Sequence, residues 1–221
     1  MIARAFIDWG WIFDHLDDVR DKVVEHLVLT GIALGVGLAL SLALAIVGLR
    51  FPRTYPPITW VTGTLYTIPS LALFAFFVPI TGFSILTAEI GLVSYTLLIL
   101  IRNIVAGVQG IDPAVRESAL GMGYGRRRLF VEIELPLALP VILAGIRIAA
   151  VTTVGLVTVT ALIGQGGVGF FILSGLSRFS ETATEIVLGT ALSVLLAVGI
   201  DLVIVLVGRI LAPWTRPRVA A

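Results

Sequence analysis

Five long apolar stretches alternate with short polar connections along the chain. They run over about Val23–Leu49, Pro57–Ile80, Ser84–Gly107, Leu137–Ile163 and Thr184–Leu211. A helix that rises 1.5 Å per residue needs about 20 apolar residues to cross the hydrocarbon core of a membrane. The pattern therefore predicts an all-α integral membrane protein with about five transmembrane helices.

Composition supports the same class. Hydrophobic residues make up 58% of the 221 positions and charged residues 13%, against about a quarter charged in soluble domains. The mean hydropathy is +1.07. The chain lacks cysteine, which excludes disulfides and thiolate metal sites. No basic arm or basic-aromatic stretch is present, so a nucleic-acid partner is not expected. The expected surroundings are a lipid bilayer.

The basic residues predict how the spans are oriented. The connections after spans one, three and five carry nine arginines, whereas the other side carries four basic residues. The first group is Arg50, Arg53, Arg116, Arg126, Arg127, Arg128, Arg209, Arg216 and Arg218, and the second is Arg4, Arg20, Lys22 and Arg178. Because arginine and lysine accumulate in cytoplasmic loops, we expect the N-terminus outside and the C-terminus inside.

The polar residues at the two ends delimit a single membrane domain. Residues 1–22 form an outer lead that is acidic rather than apolar after Arg4, which does not fit a cleaved signal peptide. Its Trp9, Trp11 and Phe13 are compatible with a short interfacial helix or with a loosely ordered tail. Residues 23–211 make up the transmembrane domain, and residues 212–221 form a cytoplasmic tail.

The connection between spans three and four, residues 108–136, is predicted to be cytoplasmic and partly helical. Asp112 suits an N-cap and Pro113 the first helical position, so a helix is expected from Ala114 to about Leu120. Three glycines then turn the chain: Gly121, Gly123 and Gly125. A second helical piece, Arg126–Glu134, leads back to the membrane. Such an element is suited to occupy a groove of another protein.

This loop resembles the EAA motif of binding-protein-dependent ABC importer permeases. The matching positions are Glu117, Ser118, Ala119, Gly123, Ile133, Leu135 and Pro136. Ser118 stands where the family has alanine, a change between small residues. The resemblance implies a bacterial inner-membrane protein whose loop is a coupling helix between spans three and four.

The same resemblance implies the partners. The loop would dock on separate ABC ATPase subunits, which bind ATP and Mg, so no cofactor is expected in this chain. Because one loop serves one ATPase, a second permease copy or a paralogue is expected, together with an extracytoplasmic substrate-binding protein. The chain is not expected to be an enzyme. Its one lysine, Lys22, is predicted outside, and a phosphate-binding P-loop requires a lysine. The glycine-rich run Gly164–Gly169 is expected to be an outer turn.

Three further stretches resemble permeases of osmoprotectant importers. They are Tyr66–Phe76, Leu135–Arg147 and Ala161–Gly169. The resemblance implies transport of glycine betaine, choline, carnitine or a related quaternary ammonium compound. A methionine-type or other small-solute ABC permease is the alternative.

A proline interrupts the second span and marks a possible substrate path at Tyr66, Thr67, Pro69 and Ser70. Pro69 removes one helical hydrogen bond and should leave the Leu65 carbonyl without a partner. Broken backbone at membrane depth is tolerated where it is buried or lines a cavity. A kink that borders the path and a purely structural kink both remain open.

Two charges lie deep in the spans and are predicted to form an intramembrane ion pair. Arg147 is about 10 residues, or about 15 Å, above the inner end of span four, and Asp201 lies equally far from the inner end of span five. An unpaired charge at that depth is costly, which favours pairing. A secondary transporter is a weaker alternative, because Asp201 is the one carboxylate deep in a span and no histidine is central.

Overall fold

The computed structural model describes residues 7–178 and 183–215, and every regular element in these ranges is helical. The ends of the predicted lead and tail, residues 1–6 and 216–221, lie outside the described residues, as do Arg4, Arg216 and Arg218. The all-α prediction is confirmed for the described part of the chain.

Ten α-helices follow one another in the described ranges. They are α1 Trp9–Asp14, α2 Leu16–Arg50, α3 Tyr55–Thr67, α4 Ser70–Thr81, α5 Ile85–Gln109, α6 Pro113–Gly121, α7 Arg126–Leu129, α8 Leu135–Val159, α9 Gly169–Ser177 and α10 Thr184–Leu211. A π-helical turn, Phe130–Glu134, joins α7 to α8, and short 3-10 turns lie at Pro52–Thr54, Thr160–Ile163 and Pro213–Thr215.

Within the part of the chain that the structure describes, four helices are long and apolar enough to cross a membrane: α2, α5, α8 with its extensions (Arg126–Ile163), and α10. The predicted second span is two helices, α3 and α4, bent by 95° at their junction. The C-terminal ends of α2 and α5 meet in one cavity, so the bent pair must carry the chain back across the bundle before α5 begins. This placement supports counting the pair as a fifth, broken span.

Helix α5 is the centre of the bundle and packs against both α2 and α8. Half of the most apolar 18-residue segment of α5 is buried, whereas none of the corresponding segment of α10 is buried. One core cluster surrounds Leu100 and Ile104 of α5, and a second surrounds Leu92 and Phe74. We call the end of the bundle where α5 ends and α8 begins the α6 end.

Small residues allow α2 to approach α5 closely. The buried stripe of α2 consists of Ala33, Gly37, Ser41 and Ala45. A Cβ added at Gly37 would lie 2.0 Å from the Thr96 Oγ1 of α5. The sequence also contains a parallel stripe, Gly31, Gly35, Ala39 and Ala43, but all four residues are exposed. Both stripes have the four-residue spacing of a helix face, so spacing alone does not choose between them.

The described part of the polar lead is helical and attached to the bundle. Asp8 caps α1 by accepting a hydrogen bond from the Trp11 N–H at 3.1 Å, and the Asp8 N–H donates to the Thr184 Oγ1 at 2.8 Å. The Trp11 ring stacks on His15 and meets Phe171 of α9 edge-on. Trp9–Asp14 are therefore helical, their place at a membrane interface stays a prediction, and residues 16–22 already belong to α2.

Candidate functional site

The predicted loop helix is present as α6 and is capped at both ends. The Asp112 carboxylate accepts a hydrogen bond from the Ala114 N–H at 2.9 Å, and Pro113 is the first helical residue. After the helix, Gly123 takes a positive φ of 85°, a conformation that costs glycine little. The N-cap and the glycine turn inferred from the sequence are confirmed.

Helix α6 and the residue that follows it present a mixed polar and apolar surface. Glu117 and Ser118 are exposed, while Ala119 is fully buried. Leu120 is 52% exposed and Met122 69% exposed. We call Glu117, Leu120 and Met122 the α6 knob. An exposed apolar side chain on its own is ordinary, but two of them close together in the sequence, at the end of α6 and directly after it, fit a contact surface.

The second half of the loop runs into α8 without a break. Helix α7 continues through the π-helical turn Phe130–Glu134 into α8, where Ile133 and Pro136 are half-buried and Leu135 is exposed. Proline lacks an N–H, and its ring would press on the carbonyl four residues earlier in a regular helix. A widened turn immediately before Pro136 accommodates both effects.

Arg116 is a contact residue of this loop that the sequence motif does not include. Its guanidinium donates to the Glu134 carboxylate at 2.7 Å and to the Val108 carbonyl at 2.6 Å. Glu134 follows Arg116 by 18 residues, and the glycine turn decides whether the two meet. The contact between Arg116 and Glu134 therefore could not be predicted from the spacing of residues along a helix.

The predicted substrate-path residues cluster at the break between α3 and α4. Tyr66, Thr67 and Pro69 are exposed and Ser70 is half-buried. The expectation that the Leu65 carbonyl lacks a partner is wrong, because it accepts a hydrogen bond from the Ile68 N–H at 3.3 Å. The break is complete, so the chain closes a tight turn here in place of a kinked helix.

A buried tyrosine of α5 supports this break and was not identified from the sequence. The hydroxyl of Tyr95 donates to the Ile68 carbonyl, one of the groups that the break exposes. The rings of Tyr66 and Tyr95 meet edge-on with centroids 5.6 Å apart. The turn at Pro69 is therefore braced from α5 by an aromatic side chain.

The structure brings the two deep charges together. Arg147 Nε donates to Asp201 Oδ1 at 2.7 Å, and Arg147 Nη2 donates to Asp201 Oδ2 at 2.9 Å. The two parallel bonds match the planar fork of the guanidinium. An open cavity of about 500 Å³ adjoins the pair. The ion pair thus connects α8 to the peripheral α10.

The glycine-rich run after α8 forms a turn that packs on α2. Gly164 and Gly167 have positive φ values of 79° and 49°. The Gly167 N–H donates to the Glu25 carboxylate at 3.1 Å, and Lys22 pairs with the same glutamate at 2.7 Å. The main-chain N–H of Gly167 is thus already occupied by a carboxylate of the same chain, so it is not available to a phosphate.

Comparison with known proteins identifies the chain. Residues 26–220 match the family described as the binding-protein-dependent transport system inner membrane component. The chain belongs to this family. The permease is therefore a bacterial inner-membrane transport component and is itself non-catalytic, as expected from the loop motif. Membership also implies an ATPase and a binding protein as partners.

Two curated relatives cover most of the permease. It is 34% identical to the choline transport system permease protein OpuBB of Bacillus subtilis, over 89% of this chain and 90% of that protein. It is 38% identical to the carnitine transport permease protein OpuCB of Listeria monocytogenes, over 76% and 72% respectively. The resemblance to osmoprotectant permeases is confirmed at this level.

A solved structure of the methionine ABC transporter MetNI shares the fold. The match has a TM-score of 0.68 and 19% identity, and it covers 95% of the permease and all of that chain. At this identity the likeness concerns the fold alone.

Proposed function

We propose that the permease forms the translocation path of an ATP-driven importer for a small osmoprotectant, and that α6 is its coupling helix. In this proposal the N-terminus is outside and the α6 end is cytoplasmic. The α6 knob docks on a separate ATPase, and the motif residues Glu117, Ser118, Ala119, Gly123, Ile133, Leu135 and Pro136 shape that contact. The carrying observation is the exposure of the knob, in which the apolar side chains of Leu120 and Met122 are both uncovered.

The chemistry of the loop supports docking. Ala119 is the buried residue of α6, while Glu117 and the two apolar side chains are exposed. A short helix with apolar anchors and a polar rim is a common way to fill a protein groove. Arg126, Arg127 and Arg128 are exposed and belong to α7, which contacts α6, and this fits the predicted cytoplasmic side.

The glycine turn provides a test of coupling with a matched control. Gly123→Val forces a β-branched residue into a positive φ of 85°, which is strongly disfavoured, so the knob should be misplaced. Gly125→Val adds the same side chain two residues later, where φ is −71° and the surrounding space is open. We expect Gly123→Val to abolish substrate-stimulated ATP hydrolysis with normal membrane insertion, and Gly125→Val to retain it. Full stimulation in Gly123→Val would refute the assignment of the loop.

The substrate class is proposed from the relatives and from the aromatic residues at the break. The two relatives are named for choline and carnitine transport, and both solutes carry a quaternary ammonium group. Aromatic faces attract such cations, and Tyr66 and Tyr95 meet beside the turn at Pro69. We place the path along this break, bordered by Tyr66, Thr67, Pro69 and Ser70.

Uptake into vesicles tests the substrate class. Transport should require ATP, the partner ATPase and the binding protein, and glycine betaine, choline or carnitine should compete for it. Competition by methionine alone would replace this proposal with a methionine-type permease. Uptake without the ATPase would instead indicate a secondary transporter.

The working unit is proposed to be a pair of permeases, identical or paralogous, with one α6 for each ATPase. Within each copy the Arg147–Asp201 pair would hold α10 against α8 inside the bilayer. Support for this role of the ion pair comes from its geometry. The bidentate contact joins α8 to α10, and the most apolar segment of α10 is not buried by the rest of the bundle.

A further inference from the structure

One arginine of α6 contacts both long helices that flank the loop. Arg116 Nε donates to Glu134 Oε1 at 2.7 Å, and Arg116 Nη2 donates to the Val108 carbonyl at 2.6 Å. Glu134 immediately precedes α8, and Val108 lies in the last turn of α5. A single guanidinium therefore ties α6 to the end of one span and to the beginning of the next.

Both acceptors are well suited to a cation. The Val108 carbonyl is among the last four of α5, which have no partner within the helix and lie at the negative end of its dipole. The Glu134 side chain is 17% exposed, so water competes weakly for this charge-assisted bond. A guanidinium presents several donors in a rigid fork, whereas the ammonium group of lysine is a point charge. Arginine can thus hold both helices at once.

We call the place where α6 meets the ends of α5 and α8 the joint. Packing alone holds α6 weakly there. Within α6, which is fully described, Ala119 is the buried residue. An open cavity of about 680 Å³ adjoins the joint and is lined by Arg116, Glu134, Ile46 and Phe130 among others. The connection from α5 is anchored by the buried Ile111, but within α6 Ala119 alone is buried, so the hydrogen bonds of Arg116 contribute to the position of the helix relative to the spans.

We infer that Arg116 is a positioning residue for energy coupling, which transmits movement of α6 to α5 and α8 together. This role rests on the proposed docking of α6 on an ATPase. Helix α5 also packs on α2, so a displacement at the joint reaches three spans. Without the guanidinium, α6 keeps its knob and still binds the ATPase, but its movement is no longer transmitted to α5 and α8.

The test uses the complete importer, with permease, ATPase and binding protein in proteoliposomes. Two quantities are measured: the ATPase retained on the solubilised permease, and the solute imported per ATP hydrolysed. Arg116→Met should retain the ATPase and lower the import ratio roughly fivefold or more, a typical size for coupling between sites. Arg116→Lys should be intermediate. Arg53→Met, which removes an exposed arginine from the α2–α3 connection at the same end, should match the wild type.

A second variant approaches the joint from the span side. Glu134→Ala should lower the import ratio in the same way, and it replaces Arg116→Met as the test if that variant does not fold. Both changes break the Arg116–Glu134 contact, and Arg116→Met also breaks the contact with Val108. The double variant should therefore be little worse than Arg116→Met alone. Independent losses that multiply in the double variant would overturn the inference.

The outcomes separate this inference from the function on which it rests. If the wild-type permease retains no ATPase, the proposed function fails. If the wild type couples and Arg116→Met imports at the wild-type ratio, the positioning role is refuted. If Arg116→Met loses the ATPase altogether, Arg116 is a docking residue, and the inference is again overturned.

Discussion

Substitution of Gly37 by alanine should destabilise the permease, although alanine is the better helix former. The added Cβ would lie 2.0 Å from the Thr96 Oγ1 and 3.0 Å from the Thr96 Cβ. The first distance is about 1.4 Å short of ordinary contact at 3.4 Å. Thr96 is 1% exposed and β-branched, so it has little freedom to rotate away. Either Thr96 must be displaced or helices α2 and α5 must separate.

The magnitude follows from three contributions. Alanine gains about 0.8–1 kcal/mol over glycine in a helix interior. Overpacking a close-packed contact costs about 1–3 kcal/mol. Displacement of Thr96 also weakens its hydrogen bond to the Val93 carbonyl at 2.8 Å, a further cost of about 1 kcal/mol. We expect a net loss of about 1–3 kcal/mol in the free energy of unfolding.

Gly35→Ala is the matched control, two residues away on the same helix. No atom lies within 4 Å of a Cβ at Gly35, so this variant should be neutral or slightly stabilised. Both variants are unfolded by denaturing detergent in mixed micelles and followed by circular dichroism. Thr96→Ala combined with Gly37→Ala should recover part of the loss, because it removes the nearest atom. Equal unfolding free energies for Gly37→Ala and Gly35→Ala would refute the close approach of α2 and α5.

Three further predictions concern single contacts. Arg147→Leu and Asp201→Leu should each lower the folded yield on size-exclusion chromatography, and the double variant should recover much of the loss, because neither charge is then left unpaired. Strictly additive losses would mean that the two charges do not stabilise each other. Gly167→Ala should lower the folded yield more than Gly164→Ala, because its Cβ would lie 2.7 Å from a Cα of α2, whereas Gly164 faces open space. Equal yields would contradict the packing of that turn. Asp112→Ala should cost about 1 kcal/mol of cap stability and speed amide exchange in α6, measured by mass spectrometry, and unchanged exchange would contradict the cap.

Local signals in the sequence predicted the local structure well. The Asp112 cap, the proline after it and the positive φ of Gly123 depend on contacts within about four residues, so the residues themselves specify them. The long apolar runs likewise predicted α2, α5, α8 and α10. The interruption at Pro69 was located correctly, since a proline removes a helical donor wherever the helix lies.

For the Arg147–Asp201 pair, the sequence predicts the depth of the two residues but not their contact. Membrane thickness and helical rise place both residues at one depth, and the cost of an isolated charge makes a partner necessary. Depth arithmetic leaves the rotation of each helix undetermined. The bidentate contact follows from how α10 is turned against α8.

The sequence by itself determined the membrane class, the helical content, the loop motif and the family that the motif indicates. Tertiary structure alone decided which of two small-residue stripes on α2 faces α5, how sharply α3 and α4 bend, and that Tyr95 braces the break. It also decided that Arg116 reaches Glu134 and Val108. The physical reason is that caps and breaks arise from neighbours along the chain, whereas these contacts depend on the rotation and approach of whole helices, which only their mutual packing establishes.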